Sequence, residues 1–83
     1  MATILFFASV REKMGRDEMR IPLSGPVTVE EIMTMAAREA GVDASALLGG
    51  SLMYVVNRHS AGKDSRVEDG DEVAALPPMS GGM

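Results

Sequence analysis

The chain has 83 residues, of which 46% are hydrophobic and 24% charged, and it carries a net charge of −4 and no cysteine. This composition predicts one small globular domain, and a chain this short buries only roughly 60–65% of the surface that its unfolded form exposes, which leaves no room for a deep enzyme pocket. The lack of cysteine excludes disulfides, thiolate metal ligands and a cysteine nucleophile. The acidic balance argues against nucleic acid as a partner, because phosphates require a basic surface.

The hydrophobic residues are not arranged for a membrane. No apolar run approaches the ~18 residues of a membrane span, and the N-terminus lacks the basic and apolar regions of a signal peptide. We therefore expect a cytoplasmic protein without a membrane partner. The eight methionines stand beside two Phe, one Tyr and no Trp, so most of them are expected to fill gaps in the core.

The first predicted element is a strand at Thr3–Ala8, a near-continuous apolar run rich in strand-forming residues. A strand of this kind is central or covered on both faces. One face of this strand carries Ile4, Phe6 and Ala8, and the other carries Leu5 and Phe7. If a helix covers only one of these faces, the other forms exposed apolar surface, which often marks a partner site. Ser9–Arg16 is polar and is predicted as a loop that turns at Gly15.

The next two elements are an edge strand and a helix. Glu18–Leu23 alternates between polar and apolar residues, and Pro22 places this strand at an edge or at a strand end. Thr28 and Glu31 fit a capping box, and the apolar spacing that follows predicts a helix over residues 29–40 that ends at Gly41.

The second half of the chain predicts mostly strands. Val42–Gly50 is a connector that has room for one irregular or 3₁₀ turn, and Leu52–Asn57 is a third long strand. His59–Gly62 fits either a short edge strand or a turn. Asp69–Asp71 signals a turn with solvated carboxylates, and Glu72–Leu76 is the last strand.

This order predicts an α+β fold with two layers, in which one main helix packs across one face of a mixed sheet of four to five strands. The first and last strands are both short and apolar, so we expect them to be central neighbours. Pairing the two ends of the chain in this way makes them parallel.

The sequence contains no self-contained catalytic motif, which leaves its status as an enzyme uncertain. His59 is the one histidine, and it has no second residue at the spacing of a metal site, so no metal is expected. The Gly49-Gly50 pair lacks the Lys-Ser/Thr of a phosphate loop and is read as a turn. The acidic pairs all have explanations as caps, turns or loops.

The C-terminus is the candidate functional group. Pro77 and Pro78 stop the last strand, which divides the chain into a domain at residues 1–78 and a flexible Gly-Gly tail at residues 79–83. Gly81 and Gly82 lack side chains, so a partner can thread them through a narrow channel. The alternative is a frayed terminus without function. Because a carboxylate is a poor electrophile, chemistry at this end requires activation, for example by AMP transfer from ATP on a partner enzyme.

The predicted strand order with its Gly-Gly end resembles the β-grasp fold of ubiquitin-like sulfur carriers. Within that superfamily, which includes ThiS, the chain resembles the MoaD family, the small subunits of molybdopterin synthase. The shared N-terminal features are Leu5-Phe6-Phe7-Ala8, Val10-Arg11-Glu12, Gly15 and, later, Val56-Asn57. The shared C-terminal features are Asp69-Gly70-Asp71-Glu72-Val73-Ala74, Pro77-Pro78, one apolar residue, Ser80 and Gly81-Gly82.

This resemblance implies a sulfur carrier with no bound cofactor. A MoeB-like (E1-like) activating enzyme adenylates Gly82 with ATP, and a sulfurtransferase system converts it to a thiocarboxylate. The tail then enters a MoaE-like large subunit of molybdopterin synthase, where the sulfur passes to cyclic pyranopterin monophosphate. By position, the implied partner interface is formed by six residues: Phe7, Arg11, Leu76, Pro77, Pro78 and Met79.

Met83 departs from the family pattern, which ends at the second glycine. We expect a peptidase to remove it, because activation needs a free carboxylate on Gly82. Three alternatives remain open: a sulfur carrier for thiamine, cysteine or tRNA thiolation; a ubiquitin-like protein modifier; and an interaction domain whose tail has no function.

Overall fold

The computed structural model describes residues 1–78, and residues 79–83 lie outside the described part of the chain. The helices are α1 (Ala8–Met14), α2 (Val29–Ala40) and α3 (Ser45–Leu48). The strands are β1 (Ala2–Phe6), β2 (Glu18–Ile21), β3 (Val27–Thr28), β4 (Met53–Val56), β5 (His59–Ala61), β6 (Arg66–Val67) and β7 (Glu72–Leu76).

Five of the strands form one mixed sheet in the order β2-β1-β7-β4-β5. The central pair β1 and β7 is parallel, and the other pairs are antiparallel. The predicted α+β architecture and the parallel neighbours at the centre are therefore confirmed. The strand β2 is an edge strand that stops just before Pro22, as the missing backbone donor of proline requires.

The helix α2 has both of its predicted ends. The backbone N–H of Glu31 donates to Thr28 Oγ1 at 3.1 Å, and the N–H of Thr28 donates to Glu31 Oε1 at 2.8 Å, which completes the capping box. At the other end Gly41 has a φ of 74°, a conformation that glycine adopts without steric cost. Its neighbour Val42 donates to the carbonyl of Ala37 at 3.0 Å and closes the last turn.

The core lies between α2 and one face of the five-stranded sheet. Alternate residues of each strand point into it, which gives β1 and β7 their alternating burial. Tyr54 is the buried residue with a polar end, and its hydroxyl donates to the carbonyl of Leu47 at 2.6 Å. Burial, aided by the charge of Glu30, raises the pKa of Tyr54, so it stays a neutral donor. The largest fully buried side chains are Ile4, Val10, Val29, Ile32, Met33, Leu47, Val67 and Val73.

Two predictions about the first half of the chain were wrong. The strand predicted to reach Ala8 ends at Phe6, and the predicted loop over Ser9–Arg16 contains the helix α1. The helix forms because Val10 and Met14, one turn apart, are 1% and 5% exposed and pack into the core. Two large apolar residues beside three charged ones are too weak a pattern to identify a helix of seven residues.

The second half also contains elements beyond those predicted. The strands β3 and β6 pair in a separate two-stranded sheet, and the connector after α2 contains the short helix α3. The local backbone explains why glycine occupies positions 49 and 50. A Cβ on Gly49 would lie 2.7 Å from the Ser45 carbonyl oxygen, and Gly50 has a φ of 66°. Within residues 1–78, no helix has the length and apolar character needed to cross a bilayer.

Candidate docking face and C-terminal exit

The face of the sheet opposite α2, called here the open face, is apolar at its centre. Alternation along the strands places Leu5 of β1, Ala74 of β7 and Val55 of β4 on this face, and the strand register aligns these three residues in one row. All three are half-buried, although no helix covers them within the described chain. An apolar row of this kind on a small domain indicates a surface for a partner.

A second row lies at the end of the sheet where β7 leaves it. Leu76 pairs with Met53 across β7 and β4. Phe6 pairs with Ala75 across β1 and β7, and continuing this register by one residue places Phe7 beside Leu76. Phe7 and Met53 are 43% and 44% exposed. We call Phe7, Leu76 and Met53 the tail-end row, because β7 ends at Leu76 and the chain continues from there into Pro77 and Pro78.

The open face becomes charged away from the tail. At the far end, Thr3 lies between Arg20 of β2 and Glu72 of β7. Glu18 lies 3.8 Å from Arg20 (Oε2 to Nε), and both side chains are exposed, so this pair stabilises the fold little. The open face is therefore apolar at the end where β7 stops and charged at the opposite end.

The remaining predicted interface residues lie at the same end as the tail-end row. Arg11 of α1 donates its backbone N–H to the carbonyl of Phe7 at 3.3 Å, and its exposed guanidinium lies 3.6 Å from Asp17 (Nη1 to Oδ1). Pro77 is half-buried and Pro78 is exposed. The structure thus brings together the predicted residues that it describes, while their role as an interface remains a prediction. Met79, Gly81, Gly82 and Met83 lie outside the described residues.

Two turns are joined at the start of β7. Asn57 occupies the turn between β4 and β5, and its Nδ2 donates to Asp71 Oδ1 at 3.0 Å. Its Oδ1 accepts the backbone N–H of Glu72 at 2.9 Å. Asp71 Oδ2 accepts the N–H of Glu68 at 2.7 Å. The hydrogen bond from Asn57, followed by that from Glu68, lowers the pKa of Asp71. Asp71 therefore helps to join the two turns, whereas the sequence predicted only a solvated carboxylate.

The structure gives little support to the other candidate sites. His59 is exposed on the edge strand β5. A shallow groove between the start of α2 and the loop before β6 is lined partly by Glu30, Glu31 and Asp64, but the Glu31 carboxylate is already occupied by the capping box. In the part of the chain that the structure describes, no group of three or more His, Asp or Glu side chains is placed to hold a metal ion.

Sequence reasoning missed Met53 and Val55 as part of the open face. The alternation along the third predicted strand, which became β4, does place both residues on the same side of that strand. Their position beside Leu76 and Ala74 depended on the register between β4 and β7, and no local pattern specifies a register between strands that are distant in sequence.

Comparison with known proteins agrees with this arrangement. The model of the ThiS family matches residues 4–82. The molybdopterin synthase sulfur carrier subunit of Escherichia coli is 40% identical over 82 residues, which cover 99% of this chain and all of that protein. Its counterpart in Haemophilus influenzae is 34% identical over the same coverage.

Solved structures show the same fold. SAMP1 from Haloferax volcanii superposes with a TM-score of 0.79 at 24% identity, covering 98% of both chains. A chain in the complex of subunits 1 and 2 of molybdopterin-converting factor from Helicobacter pylori has a TM-score of 0.63 at 20% identity, covering 98% of this chain and 97% of that one. The β-grasp fold and the predicted resemblance to MoaD-type proteins are confirmed. The chain belongs to the ThiS family.

Proposed function

We propose that this protein is the sulfur carrier of molybdopterin synthesis, in which Gly82 carries the sulfur as a thiocarboxylate. The observation that carries the proposal is the 40% identity, over the full length of both chains, to a protein named molybdopterin synthase sulfur carrier subunit. The apolar tail-end row supports it, because this row supplies a docking surface at the end of β7, six residues before Gly82 in the sequence.

The proposed chemistry takes place at the terminal carboxylate. The carboxylate of Gly82 attacks the α-phosphorus of ATP on an activating enzyme, which forms an acyl adenylate and releases pyrophosphate. Sulfide supplied by a sulfurtransferase system then attacks the acyl carbon and displaces AMP, which leaves the carrier as a thiocarboxylate without a change of oxidation state. Because the chain has no cysteine, it has no thiol of its own on which to carry sulfur.

The proposed chemistry requires two partner proteins. ATP binding belongs to the E1-like activating enzyme, and the pterin substrate, cyclic pyranopterin monophosphate, belongs to a MoaE-like large subunit. The complex of subunits 1 and 2 in the Helicobacter pylori structure supports a partner of this second kind. We propose that both partners dock on the open face around Phe7, Arg11 and Leu76 and receive the tail beyond Pro78.

Met83 is proposed to be removed by a peptidase before activation. The match to the ThiS family runs to residue 82, so Met83 lies beyond the segment shared with that family. With Met83 attached, the carbonyl carbon of Gly82 is part of a peptide bond, and no free carboxylate is available for adenylation.

A reconstituted synthase tests the proposal. The chain ending at Gly82 is thiocarboxylated, mixed with the large subunit and cyclic pyranopterin monophosphate, and molybdopterin is measured. We expect one molybdopterin for every two thiocarboxylated chains, because its dithiolene contains two sulfur atoms, and none from the chain that retains Met83. Failure of the thiocarboxylated chain with its cognate large subunit would refute the assignment. Product from thiamine, cysteine or tRNA thiolation systems instead would move the carrier to another sulfur pathway, and Gly-Gly remnants on lysines would identify a protein modifier.

A further inference from the structure

We propose that Ala8 is a positioning residue, whose left-handed backbone presents Phe7 on the open face ready for the partner. The inference rests on the proposed function, since it concerns docking of the carrier on the large subunit. Among residues 1–78, three non-glycine residues have a positive φ: Ala8 at 51°, Asn57 at 49° and Arg58 at 71°. Of these, Ala8 directly follows an exposed aromatic residue of the tail-end row.

Buried residues on both sides of Ala8 hold its backbone in the left-handed conformation. Before it, Phe6 is 2% exposed in the core, and after it Val10 is 1% exposed. The carbonyl of Phe7 accepts the backbone N–H of Val10 at 3.0 Å as well as that of Arg11. The chain must therefore turn sharply between two buried side chains. A residue with a Cβ enters the left-handed region only when its surroundings impose it, and such residues concentrate where a protein must hold a binding group in place.

The consequence for Phe7 is a defined backbone. Phe7 is extended, with φ −126° and ψ 151°, it is 43% exposed, and it directly follows Phe6, which pairs with Ala75 one residue before β7 ends. Glycine at position 8 would permit the same turn, but it would also permit many others, because it adopts both signs of φ readily. Alanine therefore allows the turn fewer conformations than glycine would. As a result, Phe7 loses less conformational entropy when the partner binds.

A double-mutant cycle tests this inference. The dissociation constant for the large subunit of molybdopterin synthase is measured by calorimetry for the unmodified chain, Phe7→Ala, Ala8→Gly and the double variant, all ending at the same residue. We expect Ala8→Gly to weaken binding by about twofold to tenfold, the range for ordering one side chain, with an unchanged or higher urea midpoint. In the Phe7→Ala background, Ala8→Gly should have no further effect.

The outcomes separate the two proposals. If Phe7→Ala weakens binding while Ala8→Gly leaves it unchanged, or if Ala8→Gly weakens binding equally without Phe7, the positioning role of Ala8 is refuted and the docking face stands. If Phe7→Ala itself has no effect, the docking role of Phe7 fails, and the inference fails with it.

A second variant guards against a loss of fold. If Ala8→Gly lowers the urea midpoint, a synthetic chain with D-alanine at position 8 replaces it, because the D-enantiomer favours the left-handed region without adding freedom. This chain should bind at least as tightly as the unmodified one. Weaker binding in a folded chain would overturn the inference.

Discussion

Asn57 and Asp71 are 14 residues apart in sequence and are joined by a hydrogen bond of 3.0 Å between Nδ2 and Oδ1. The bond ties the turn between β4 and β5 to the turn that precedes β7. The backbone N–H of Asn57 also donates to the Glu72 carbonyl at 2.8 Å. Through these bonds β7 is fixed at its beginning to the turn between β4 and β5.

Replacement of Asn57 by alanine should destabilise the fold. The change removes the side-chain bonds to Asp71 and to the N–H of Glu72, and it places alanine at a φ of 49°. We expect the free energy of unfolding in urea to fall by about 1–3 kcal/mol. Asn57→Gly is the matched control, because it loses the same side-chain bonds without the conformational strain. A fall of less than half a kcal/mol for both variants, roughly the noise of such measurements, would contradict this role.

Asp71 should make the stability depend on pH. Its folded pKa is lowered from the ordinary value of 3.8, so the ionised carboxylate stabilises the fold fully above that value, and this contribution is lost as pH falls through the lowered pKa. Asp71→Asn should therefore be less stable than the unmodified chain at neutral pH, and the difference should shrink as the pH falls below 3.8 and through the lowered pKa of Asp71.

The measurement is the free energy of unfolding as a function of pH for both chains. Asp64→Asn, a change to an exposed aspartate in the loop before β6, is the control and should leave the pH profile close to that of the unmodified chain. A difference between Asp71→Asn and the unmodified chain that stays constant from neutral to acid pH would show that the charge of Asp71 does not matter.

Glycine at position 58 should stabilise the protein. Asn57 and Arg58 form a two-residue hairpin turn between the paired residues Val56 and His59, and both have positive φ. Turns of this type favour Asn followed by Gly. Arg58→Gly relieves the backbone strain at this position, but glycine also gives the unfolded chain more conformational freedom. The net expected increase in the free energy of unfolding is about 0.5–1 kcal/mol.

Thermal and urea unfolding of Arg58→Gly measure this gain. Arg58→Ala removes the same side chain but keeps the strained backbone, so it should show no gain. Equal stabilisation by both variants would mean that the arginine side chain itself, rather than its backbone conformation, is unfavourable.

Met53→Glu should weaken docking without affecting the fold. The side chain is 44% exposed and lies across from Leu76 in the tail-end row, so a partner that covers this row would bury an unpaired carboxylate. We expect the dissociation constant for the large subunit to rise about tenfold or more. Ser24→Glu adds the same charge at an exposed position in the loop before β3 and should bind normally. Equal affinities for the two variants would place the interface elsewhere.

Local patterns were enough to predict the elements whose signals are strong. Thr28, Glu31 and Gly41 define both ends of α2, and Pro22 marks the edge strand. The parallel pairing of the first and last strands followed from their apolar composition and from the order of the elements. The helix α1 and the two-stranded sheet are short, so tertiary packing rather than sequence pattern determines them.

The candidate site could be predicted only in part. Alternation put Leu5 and Phe7 on the same face of the first strand, and the family resemblance implied Phe7 and Leu76 as interface residues, whereas the place of Met53 beside Leu76 depends on strand register. The left-handed backbone of Ala8 had no sequence signal, since alanine does not favour that conformation. It arises from the two buried residues, Phe6 and Val10, that the turn must connect.

The sulfur-carrying role proposed for the terminal carboxyl group of Gly82 is tested most directly by an intact mass. The chain ending at Gly82 is incubated with ATP, its cognate activating enzyme and a sulfur source. We expect a gain equal to the exchange of one oxygen for one sulfur, located on the C-terminal fragment, and no gain when ATP is omitted. An unchanged mass in the complete system would refute this role of Gly82.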